Sequence, residues 1–400
     1  MKQIIIIGGG AAGFFCASNL DEKKYNITIL EQNSDVLQKV KISGGGRCNV
    51  THACFDPREL VQFYPRGNKE LLSVFTKFQP GDTMEWFDNR NVPLKIENDN
   101  RTFPESNSSQ TIINTFLNET QKKNVTVNTK CTVKEIEKQD EKYIVRTNSG
   151  DFEADYIVYT TGSSPKSLKI VENLGHKIVP LVPSLFTFNI KDELLKDLPG
   201  TSFENAGISI PKLKTEESGP LLITHWGLSG PAVLKISAWE AISLAQLKYN
   251  FEIEVNFVSI PMEDAEEAFQ NFKQNNPKKS IGQSKIFDIT NRFWQKILEI
   301  SKVDLNKQVA NISGKEMQKI LENLCQKKFQ VTGKSTFKDE FVTAGGVDLK
   351  EINFKNMASK LLPNFYIAGE VLNIDAVTGG FNFQACWSEG WLIAQDLNAL

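Results

Sequence analysis

The feature that most constrains the fold is a run of glycines directly after an apolar segment near the start of the chain. Residues 4–7 are four isoleucines, the kind of β-branched run that forms a strand buried on both faces. Gly8, Gly10 and Gly13 follow in G-x-G-x-x-G spacing, and residues 11–20 are compatible with a helix. In such a unit the first glycine allows a tight turn, the second admits a phosphate, and the third lets the helix pack close to the strand. The pattern predicts a Rossmann-like dinucleotide-binding domain.

The next apolar segment, residues 26–30, predicts a second strand, and Glu31 ends it. Glu31 stands 18 residues beyond Gly13, near the spacing at which a carboxylate accepts hydrogen bonds from an adenosine ribose. A carboxylate there would repel a 2′-phosphate, so the site favours FAD or NAD over NADP. A secretory signal fits less well, because three glycines interrupt the apolar run and charged residues follow it.

Two later segments favour FAD over NAD. Residues 155–162 form a buried-type strand that ends in Thr161-Gly162, and residues 364–370 form another that ends in Ala-Gly-Glu370. Both resemble elements of two-dinucleotide-fold flavoproteins, in which the closing acid contacts the flavin ribitol; here Glu replaces the usual Asp. A helix follows residues 378–380, and its first amides are expected to face the flavin ring or the pyrophosphate.

A second glycine loop lies in residues 39–51, with the sequence KVKISGGGRCNVT. Three glycines between Ser43 and Arg47 are unsuited to the interior of a helix or strand. Their amides could approach a ligand closely, and Arg47 could donate two hydrogen bonds to a phosphate or a flavin carbonyl. A solvated surface loop is the alternative. Cys48 is interpreted as a packed thiol, because no partner cysteine is near it in the sequence.

With these motifs the sequence resembles the bacterial FAD-dependent oxidoreductases that carry the SGGGRCN motif, a family that includes proteins called aminoacetone oxidase and bile-acid 3-dehydro-4,6-reductase. Further matching stretches are THWGLSGP (224–231), TAGGV (343–347) and AGEVLNIDAVTGGFNFQ (368–384). The resemblance implies tightly held FAD and an inserted second region. The turn after Gly162 lacks the family's usual glycine and aspartate, and Asn373 and Ala376 stand where Asp and Gly are common, so the substrate stays open.

The fingerprint and the resemblance together give a predicted cofactor-binding set, in which the Val133 backbone touches the adenine. Its members are Gly8, Gly10, Ala11, Ala12, Gly13, Glu31, Gln32, Lys41, Ser43, Gly44, Arg47, Cys48, Val133, Thr161, Gly162, Gly369, Glu370, Gly380, Asn382 and Phe383.

Composition excludes several classes of protein. The 400 residues carry a net charge of −2, so no bulk field attracts nucleic acid or anionic lipid. No apolar run approaches the ~20 residues that a membrane helix needs. Six scattered cysteines without a Cys-x-x-Cys pair indicate a reducing compartment, taken as the cytoplasm, and no metal-ligand cluster is recognisable. We therefore expect a small-molecule substrate, with no nucleic-acid or membrane partner; the oligomeric state stays open.

The predicted fold class is α/β: a Rossmann-like two-dinucleotide-fold FAD domain with an inserted β-barrel and a small helical domain. The boundaries are 1–187 and 343–400 for the FAD domain, 188–260 and 326–342 for the barrel, and 261–325 for the helices. Within the first part, residues 125–127, 131–133 and 143–147 are expected to form an antiparallel patch. Lysines in 261–325 are interpreted as a solvated face and not an RNA site.

Two histidines are candidate catalytic proton donors. His225 lies in residues 224–231, a glycine-rich turn that is not a G-x-S-x-G elbow because Pro231 occupies the last position. His52, beside the second glycine loop, is its rival, and His176 is expected to be a loop residue. A flavin performs its own hydride chemistry, so the protein mainly positions substrate and excludes water.

The predicted function is a two-electron oxidation or reduction of a small molecule at the flavin. No second G-x-G-x-x-G follows a later strand, so NAD(P)H, if used, would bind transiently; otherwise oxygen would reoxidise the cofactor. Two alternatives stay open: an RNA-acting flavoprotein, and a non-catalytic flavin-binding redox sensor.

Overall fold

The structure is a computed structural model of the chain, and it describes residues 1–335 and 342–400. The chain forms two compact units: unit 1 comprises Met1–Val182 and Val342–Leu400, and unit 2 comprises Pro183–Phe341. Unit 2 therefore contains both the expected barrel segment and the expected helical segment. The predicted barrel return, 326–342, includes residues 336–341, which lie outside the described residues. No helix in the described ranges is long and apolar enough to cross a bilayer.

Strands and helices are numbered along the chain. The strands that begin before residue 183 are β1 (Lys2–Ile7), β2 (Tyr25–Leu30), β3 (Thr51–His52), β4 (Leu94–Ile96), β5 (Arg101–Pro104), β6 (Thr126–Asn128), β7 (Val133–Gln139), β8 (Lys142–Thr147), β9 (Gly150–Ala154), β10 (Tyr156–Tyr159) and β11 (Ile178–Ser184). The helices of this part are α1 (Ala11–Asn19), α2 (Gln38–Gly46), α3 (Pro57–Leu60), α4 (Asn68–Phe75), α5 (Pro80–Asp88), α6 (Ser109–Lys122) and α7 (Pro165–Asn173).

Unit 2 follows, and then the chain returns to unit 1. The strands of unit 2 are β12 (Thr187–Ile190), β13 (Ser202–Ile210), β14 (Thr215–Ile223), β15 (Gly227–Ser229), β16 (Phe251–Asn256) and β17 (Lys327–Ser335). Its helices are α8 (Pro231–Trp239), α9 (Ala241–Gln246), α10 (Met262–Asn275), α11 (Asn291–Ile300) and α12 (Gly314–Cys325). The closing part has β18 (Val342–Val347), β19 (Ile352–Asn353), β20 (Ala358–Ser359), β21 (Phe365–Ile367) and α13 (Phe381–Ala399).

Unit 1 is built on a seven-stranded sheet in the order β19-β20-β21-β10-β1-β2-β6. The run from β21 to β6 is parallel, and its central strands β1 and β10 are apolar and buried along most of their length. Such strands suit a sheet that is covered on both faces. The antiparallel patch is β7-β8-β9, and the expectation that 125–127 belongs to it is wrong, because β6 pairs with β2 in the main sheet.

An aromatic cluster joins the first and last helices of unit 1. Phe15 of α1 lies 4.8 Å from Trp86 of α5 and 5.4 Å from Trp387 of α13, measured between ring centroids. Phe116 of α6 completes the group, 5.4 Å from Trp387. All four rings are buried, so core packing fixes α13 against α1.

Unit 2 is a closed six-stranded barrel in the order β12-β15-β14-β13-β16-β17, and helices pack against it. One continuous hydrophobic core holds barrel and helical residues together. For example, Phe203 of β13, Phe257 and Phe293 of α11 form a triangle of rings 4.8–4.9 Å apart. The predicted fold class, an α/β Rossmann-like domain with an inserted barrel and helices, is confirmed.

Candidate functional site

The turn after β1 is shaped by two glycines whose side chains would collide with neighbouring backbone. Gly8 has a φ of +109°, and a Cβ there would overlap the carbonyl oxygen of Thr160. A Cβ on Gly13 would overlap the carbonyl oxygen of Gly8, so α1 packs against the turn only with glycine at that position. Gly10 differs, because a Cβ there would meet no described atom within 4 Å. The space in front of Gly10 is therefore open to a ligand.

The N-terminus of α1 presents main-chain N–H groups to that open space. The first intrahelical bond runs from Phe14 N to Gly10 O at 3.0 Å, so the amides of residues 11–13 precede the helical ladder. No side chain among residues 1–335 and 342–400 caps this helix. Unsatisfied amides at a helix N-terminus, together with its positive dipole end, attract an anion. The amides of Ala11 and Ala12 are therefore available to an anionic group in front of Gly10.

Glu31 is held beside the glycine turn by two backbone amides. Its Oε2 accepts a hydrogen bond from Gly9 N at 2.9 Å, and its Oε1 accepts one from Asn33 N at 2.8 Å. The residue is 8% exposed. A carboxylate has about four acceptor positions, so this one keeps capacity for ribose hydroxyls. The neighbouring Gln32 is exposed.

Thr160, which sequence reasoning missed, fixes the other side of the turn. Its Oγ1 lies 3.1 Å from Ile7 O and 3.0 Å from Gly8 O, and its backbone N donates to Ile7 O at 2.8 Å. The predicted residues Thr161 and Gly162 follow directly. Gly162 has a φ of +71° and open space at its Cβ position. The run of two threonines offered a signal, but only the structure shows that the first one faces the turn.

The second glycine loop is an irregular extension of α2. Helical torsions stop at Ser43, whose ψ is 149°, and Gly44, Gly45 and Gly46 follow with φ of +57°, +67° and +84°. A Cβ at Gly44 would lie 3.0 Å from a ring carbon of Phe103, whereas Gly45 and Gly46 face open space. Left-handed torsions of this kind favour glycine, and they expose main-chain amides without side-chain cover.

Arg47 and Cys48 end this loop and are both engaged with protein groups. The Arg47 guanidinium donates to Glu97 at 2.7 Å and stacks 3.9 Å from the centroid of the Phe103 ring. Cys48 is fully buried, and burial raises the pKa of its thiol to about 12. The thiol therefore stays protonated at neutral pH and is packed.

The closing segment contacts the first helix within unit 1. Strand β21 pairs with β10, next to β1, and the Cβ position of Gly369 lies 3.3 Å from the Ala12 Cβ. On α13, the Cβ position of Gly390 lies 2.8 Å from the carbonyl oxygen of Ala12. Residues of the C-terminal segment therefore border the same glycine turn as residues of the N-terminal one.

The closing acid Glu370 forms an ion pair with Lys39 of α2, a partner that sequence reasoning missed. Burial would lower the pKa of Lys39, but the charge and hydrogen bond of Glu370 outweigh it, so that pKa lies above its usual value. The predicted Lys41 is exposed, and its carbonyl accepts a hydrogen bond from Ser109. Lys39 is thus the lysine that faces the closing segment.

The N-terminus of α13 packs on the strand that follows the second glycine loop. The Cβ position of Gly380 lies 2.6 Å from Thr51 O, which leaves space for glycine alone. Asn382 bonds through its side chain to both backbone groups of Ala376, at 3.0 and 3.3 Å. Phe383 stacks on Trp387 with 5.4 Å between ring centroids.

These features fit a dinucleotide. The open space in front of Gly10, bordered by the first amides of α1 and by the closing turn at Gly369, is a backbone-lined cradle, and Gly45 and Gly46 also leave open space at their Cβ positions. Asn49 adds a buried Oδ1 with no hydrogen-bond partner among the described residues, 2.8 Å from the Cβ position of Gly380. An unpaired acceptor in this place is available to a ligand N–H or O–H group.

The comparison with known families agrees with this geometry. Residues 2–396 match the model of the HI0933-like protein Rossmann domain. The chain belongs to this HI0933-like family. The predicted family, the FAD-dependent flavoproteins with the SGGGRCN motif, is thereby confirmed.

Curated relatives of this HI0933-like protein match along almost their whole length. A ribosomal RNA dihydrouridine synthase of Escherichia coli K12 is 28% identical over 411 residues, covering 99% of this chain and 98% of the relative. A 3-dehydro-bile acid delta(4,6)-reductase of Clostridium scindens is 25% identical over 409 residues, covering 98% of each. The sequence predicts no nucleic-acid partner, and the RNA-related name of this relative does not support that prediction.

Solved structures show the same fold at low identity. The 3-ketosteroid-Δ4-(5α)-dehydrogenase of Rhodococcus jostii is 10% identical, with a TM-score of 0.52 over 100% of this chain and 97% of that one. The 3-ketosteroid Δ1-dehydrogenase of Sterolibacterium denitrificans is 10% identical, with a TM-score of 0.51 over all of both chains.

His52 of the HI0933-like chain is half-buried on β3 and stacks 4.4 Å from the ring of Phe381. Its Nδ1 lies 3.1 Å from the carbonyl oxygen of Gly379. Because a carbonyl only accepts, this nitrogen carries the proton, and Nε2 of the neutral ring carries a lone pair. Burial lowers the pKa of His52, an effect that the Gly379 bond only partly opposes. At neutral pH the ring is thus a better acceptor than donor.

His225 lies in unit 2, on the turn between β14 and β15. It is exposed beside Trp226, which is 60% exposed. It lines a cavity of about 1060 Å³ together with Thr224 and Arg292, all within unit 2. The two candidate histidines therefore belong to different units.

Two remaining predictions lie in unit 1. Val133 opens β7, two residues after Cys131, whose N donates to Glu31 O at 2.8 Å, so the chain here runs beside the carboxyl end of β2. His176 lies between α7 and β11, and it is buried. Its ring bonds Glu351 at 2.8 Å and Ser359 at 3.0 Å, which is a structural role.

Proposed function

We propose that this HI0933-like protein is a FAD-dependent oxidoreductase that reduces a carbon–carbon double bond conjugated to a carbonyl group in a small molecule. The observation that carries the proposal is the contact between Gly369 and Ala12, which joins the closing segment to the first glycine turn in one unit. A backbone-lined cradle bordered by both segments suits a ligand as long as FAD.

Each part of the cradle has a role toward the cofactor. The amides of residues 11–13 hold the diphosphate in front of Gly10, and Glu31 accepts hydrogen bonds from the adenosine ribose. The second glycine loop and the start of α13 hold the flavin half. FAD, when bound, supplies two-electron hydride chemistry. The protein therefore has to bind, orient, exclude water and deliver one proton.

The substrate class is inferred from the names of the curated relatives. Dihydrouridine synthase and delta(4,6)-reductase both describe the addition of two hydrogens across a ring double bond conjugated to a carbonyl. In such a reduction a hydride adds to one carbon and a proton to its neighbour, so the electrons come from the cofactor and the proton from an acid. We propose reduced nicotinamide, NADH or NADPH, as the transient source of the hydride.

The two candidate histidines differ in how their ring nitrogens are engaged. The Nδ1–H of His52 is committed to Gly379, and its Nε2 carries no proton in the neutral ring. His225 is exposed, and no hydrogen bond to it occurs among residues 1–335 and 342–400. Flavin reoxidation by a conjugated ketone should be compared in His52→Gln and His225→Gln variants, and a variant that keeps its bound flavin but reoxidises more slowly would identify the acid.

The test is anaerobic spectroscopy. We expect a yellow protein with releasable FAD, which one of NADH and NADPH bleaches and which regains colour when a conjugated cyclic ketone is added. A yellow protein that neither donor bleaches would support the redox-sensor alternative. Recolouring only on admission of oxygen, with peroxide formed, would support an oxidase. A colourless protein without flavin would contradict the whole proposal.

A uracil ring in ribosomal RNA is a second candidate substrate, which we include because relatives at 28% and 27% identity are named ribosomal RNA dihydrouridine synthase. Uracil contains the same conjugated double bond, so the same chemistry applies. Incubation with reduced nicotinamide and unmodified ribosomal RNA, followed by nucleoside mass spectrometry, tests it. A gain of two hydrogens on RNA uridine but not on free uridine would select this candidate. No retardation of RNA in a low-salt gel shift would count against it.

A further inference from the structure

Glu389 of α13 is a fully buried carboxyl group behind the cofactor cradle. Its Oε2 accepts a hydrogen bond from Gly369 N at 2.6 Å, in the turn that contacts Ala12. Its Oε1 is buried and has no hydrogen-bond partner among the described residues. The next residue, Gly390, packs on the carbonyl oxygen of Ala12. Glu389 therefore contacts the closing turn directly, and its neighbour Gly390 contacts α1.

No cation compensates this carboxyl group within the described ranges. The titratable groups near it are the Cys386 thiol, on its own helix, and the Tyr64 hydroxyl, which donates to Phe381 O at 2.6 Å. Burial raises the pKa of both, so both are neutral. The nearby Lys39 is paired with Glu370. An isolated buried carboxylate is strongly disfavoured, so the neutral acid is the stable form. Burial raises the pKa of Glu389 to about 8, against the opposing effect of the Gly369 amide.

We propose that Glu389 is the positioning residue of the closing turn and that it is a neutral carboxylic acid while FAD is bound. In this form Oε1 carries the proton, and Oε2 accepts the hydrogen bond from Gly369 N. The inference rests on the FAD site of the proposed function. The diphosphate carries two negative charges at the N-terminus of α1. A carboxylate behind the adjoining closing turn, which contacts Ala12 through Gly369, would repel it across a poorly screened interior.

This arrangement links FAD affinity to pH. FAD binds more tightly when Glu389 is protonated, so FAD binding raises the pKa of this carboxyl group. A protein molecule in which Glu389 is ionised therefore takes up one proton from solvent when FAD binds. FAD affinity is therefore highest at pH values below the pKa of Glu389 in the FAD-free protein. As pH rises above that pKa the Kd of FAD increases, by at most about tenfold per pH unit because one proton is involved.

The experiment measures the Kd of FAD for the full-length apoprotein by flavin fluorescence, from pH 6 to pH 9.5, without any turnover. The wild-type Kd should stay constant to about pH 7 and then rise at least fivefold by pH 9.5. Glu389→Gln keeps an acceptor for Gly369 and cannot ionise, so its Kd should match the low-pH wild-type value throughout. Glu389→Ala should bind at least tenfold more weakly at every pH.

Matched controls separate this residue from its neighbours. Tyr64→Phe and Cys386→Ser should each retain the wild-type pH dependence, and Glu322→Gln, an exposed carboxyl on α12, should change nothing. A pH dependence that persists in Glu389→Gln, or a pH-independent wild-type Kd, would overturn the inference. If Glu389→Ala does not fold, the comparison of wild type with Glu389→Gln still decides. Absence of any FAD binding in the wild type would instead refute the proposed function.

Discussion

The substitution Gly10→Val separates cofactor binding from folding more cleanly than any other change in the cradle. Gly10 has φ −96° and ψ −164°, an extended conformation open to valine, and a Cβ there meets no described atom within 4 Å. The free energy of unfolding of the Gly10→Val apoprotein should therefore lie within about 0.5 kcal/mol of the wild-type value, as for an ordinary surface substitution. The side chain would instead occupy the space in front of the amides of residues 11–13.

The expected loss of affinity follows from those amides. A hydrogen bond to a charged group contributes about 1.5–3 kcal/mol, so losing two of them weakens binding by about 3–6 kcal/mol. That corresponds to about a hundredfold to ten-thousandfold in Kd. The assays are the ratio of flavin to protein absorbance after purification, and fluorescence titration of the apoprotein. Gly314→Val is the matched control: it also faces open space, but in unit 2, and should leave FAD affinity unchanged. A Gly10→Val protein that retains FAD at near-wild-type affinity would refute the placement of the diphosphate.

Three further predictions concern stability. Gly8→Ala should destabilise the apoprotein by at least about 1–3 kcal/mol in urea unfolding, since φ is +109° and the Cβ overlaps Thr160; an unchanged midpoint would contradict the turn geometry. Arg66→Met should cost about 3–5 kcal/mol, because buried Asp375 loses its paired guanidinium, and adding Asp375→Asn should recover part of the loss. Hydrogen bonds donated by Lys307 Nζ and by the backbone N and Oγ of Ser313 lower the pKa of Glu316 to about 2. The charge of Glu316 therefore stabilises unit 2 above the unfolded-state pKa near 4.5, and this benefit disappears as pH falls toward 2. Glu316→Gln should thus be less stable than wild type at pH 7 and equal to it near pH 2.

The glycine turn was predictable because its requirements are local. A left-handed φ at Gly8 and an overlap at Gly13 demand glycine for the fold, and Gly10 between them leaves the space that is proposed for the diphosphate. The three positions lie within six residues, so their spacing along the chain carries the information. Strands β1 and β10 were predictable for a similar reason, because strands buried on both faces consist of continuous apolar runs. The family resemblance then supplied what local pattern does not, namely that a distant segment closes the cradle.

Contacts that join distant segments were not predictable from local pattern. Lys39 meets Glu370 and Arg66 meets Asp375 across more than 300 residues, and Glu389 carries no sign in the sequence that it is buried. A charged side chain on a helix is ordinarily solvated, and only the packing of α13 on α1 reverses that expectation. Strand β6 was misassigned for a related reason: three residues carry too little periodicity to distinguish a parallel edge from an antiparallel patch.

The helix α13, which borders the proposed cradle, is anchored in the core of unit 1. Trp387 packs in the ring cluster with Phe15, and its Nε1 donates to Val50 O at 2.8 Å, so α13 is anchored to both α1 and the strand after the second glycine loop. Buried aromatic contacts of this kind each contribute about 0.5–1.5 kcal/mol beyond their buried area. In the proposed placement of FAD, its affinity depends on the open space in front of Gly10, which these core contacts do not occupy. For that reason a side chain at Gly10 should empty the site and leave the fold intact, whereas a side chain at Gly8 should disturb the fold itself.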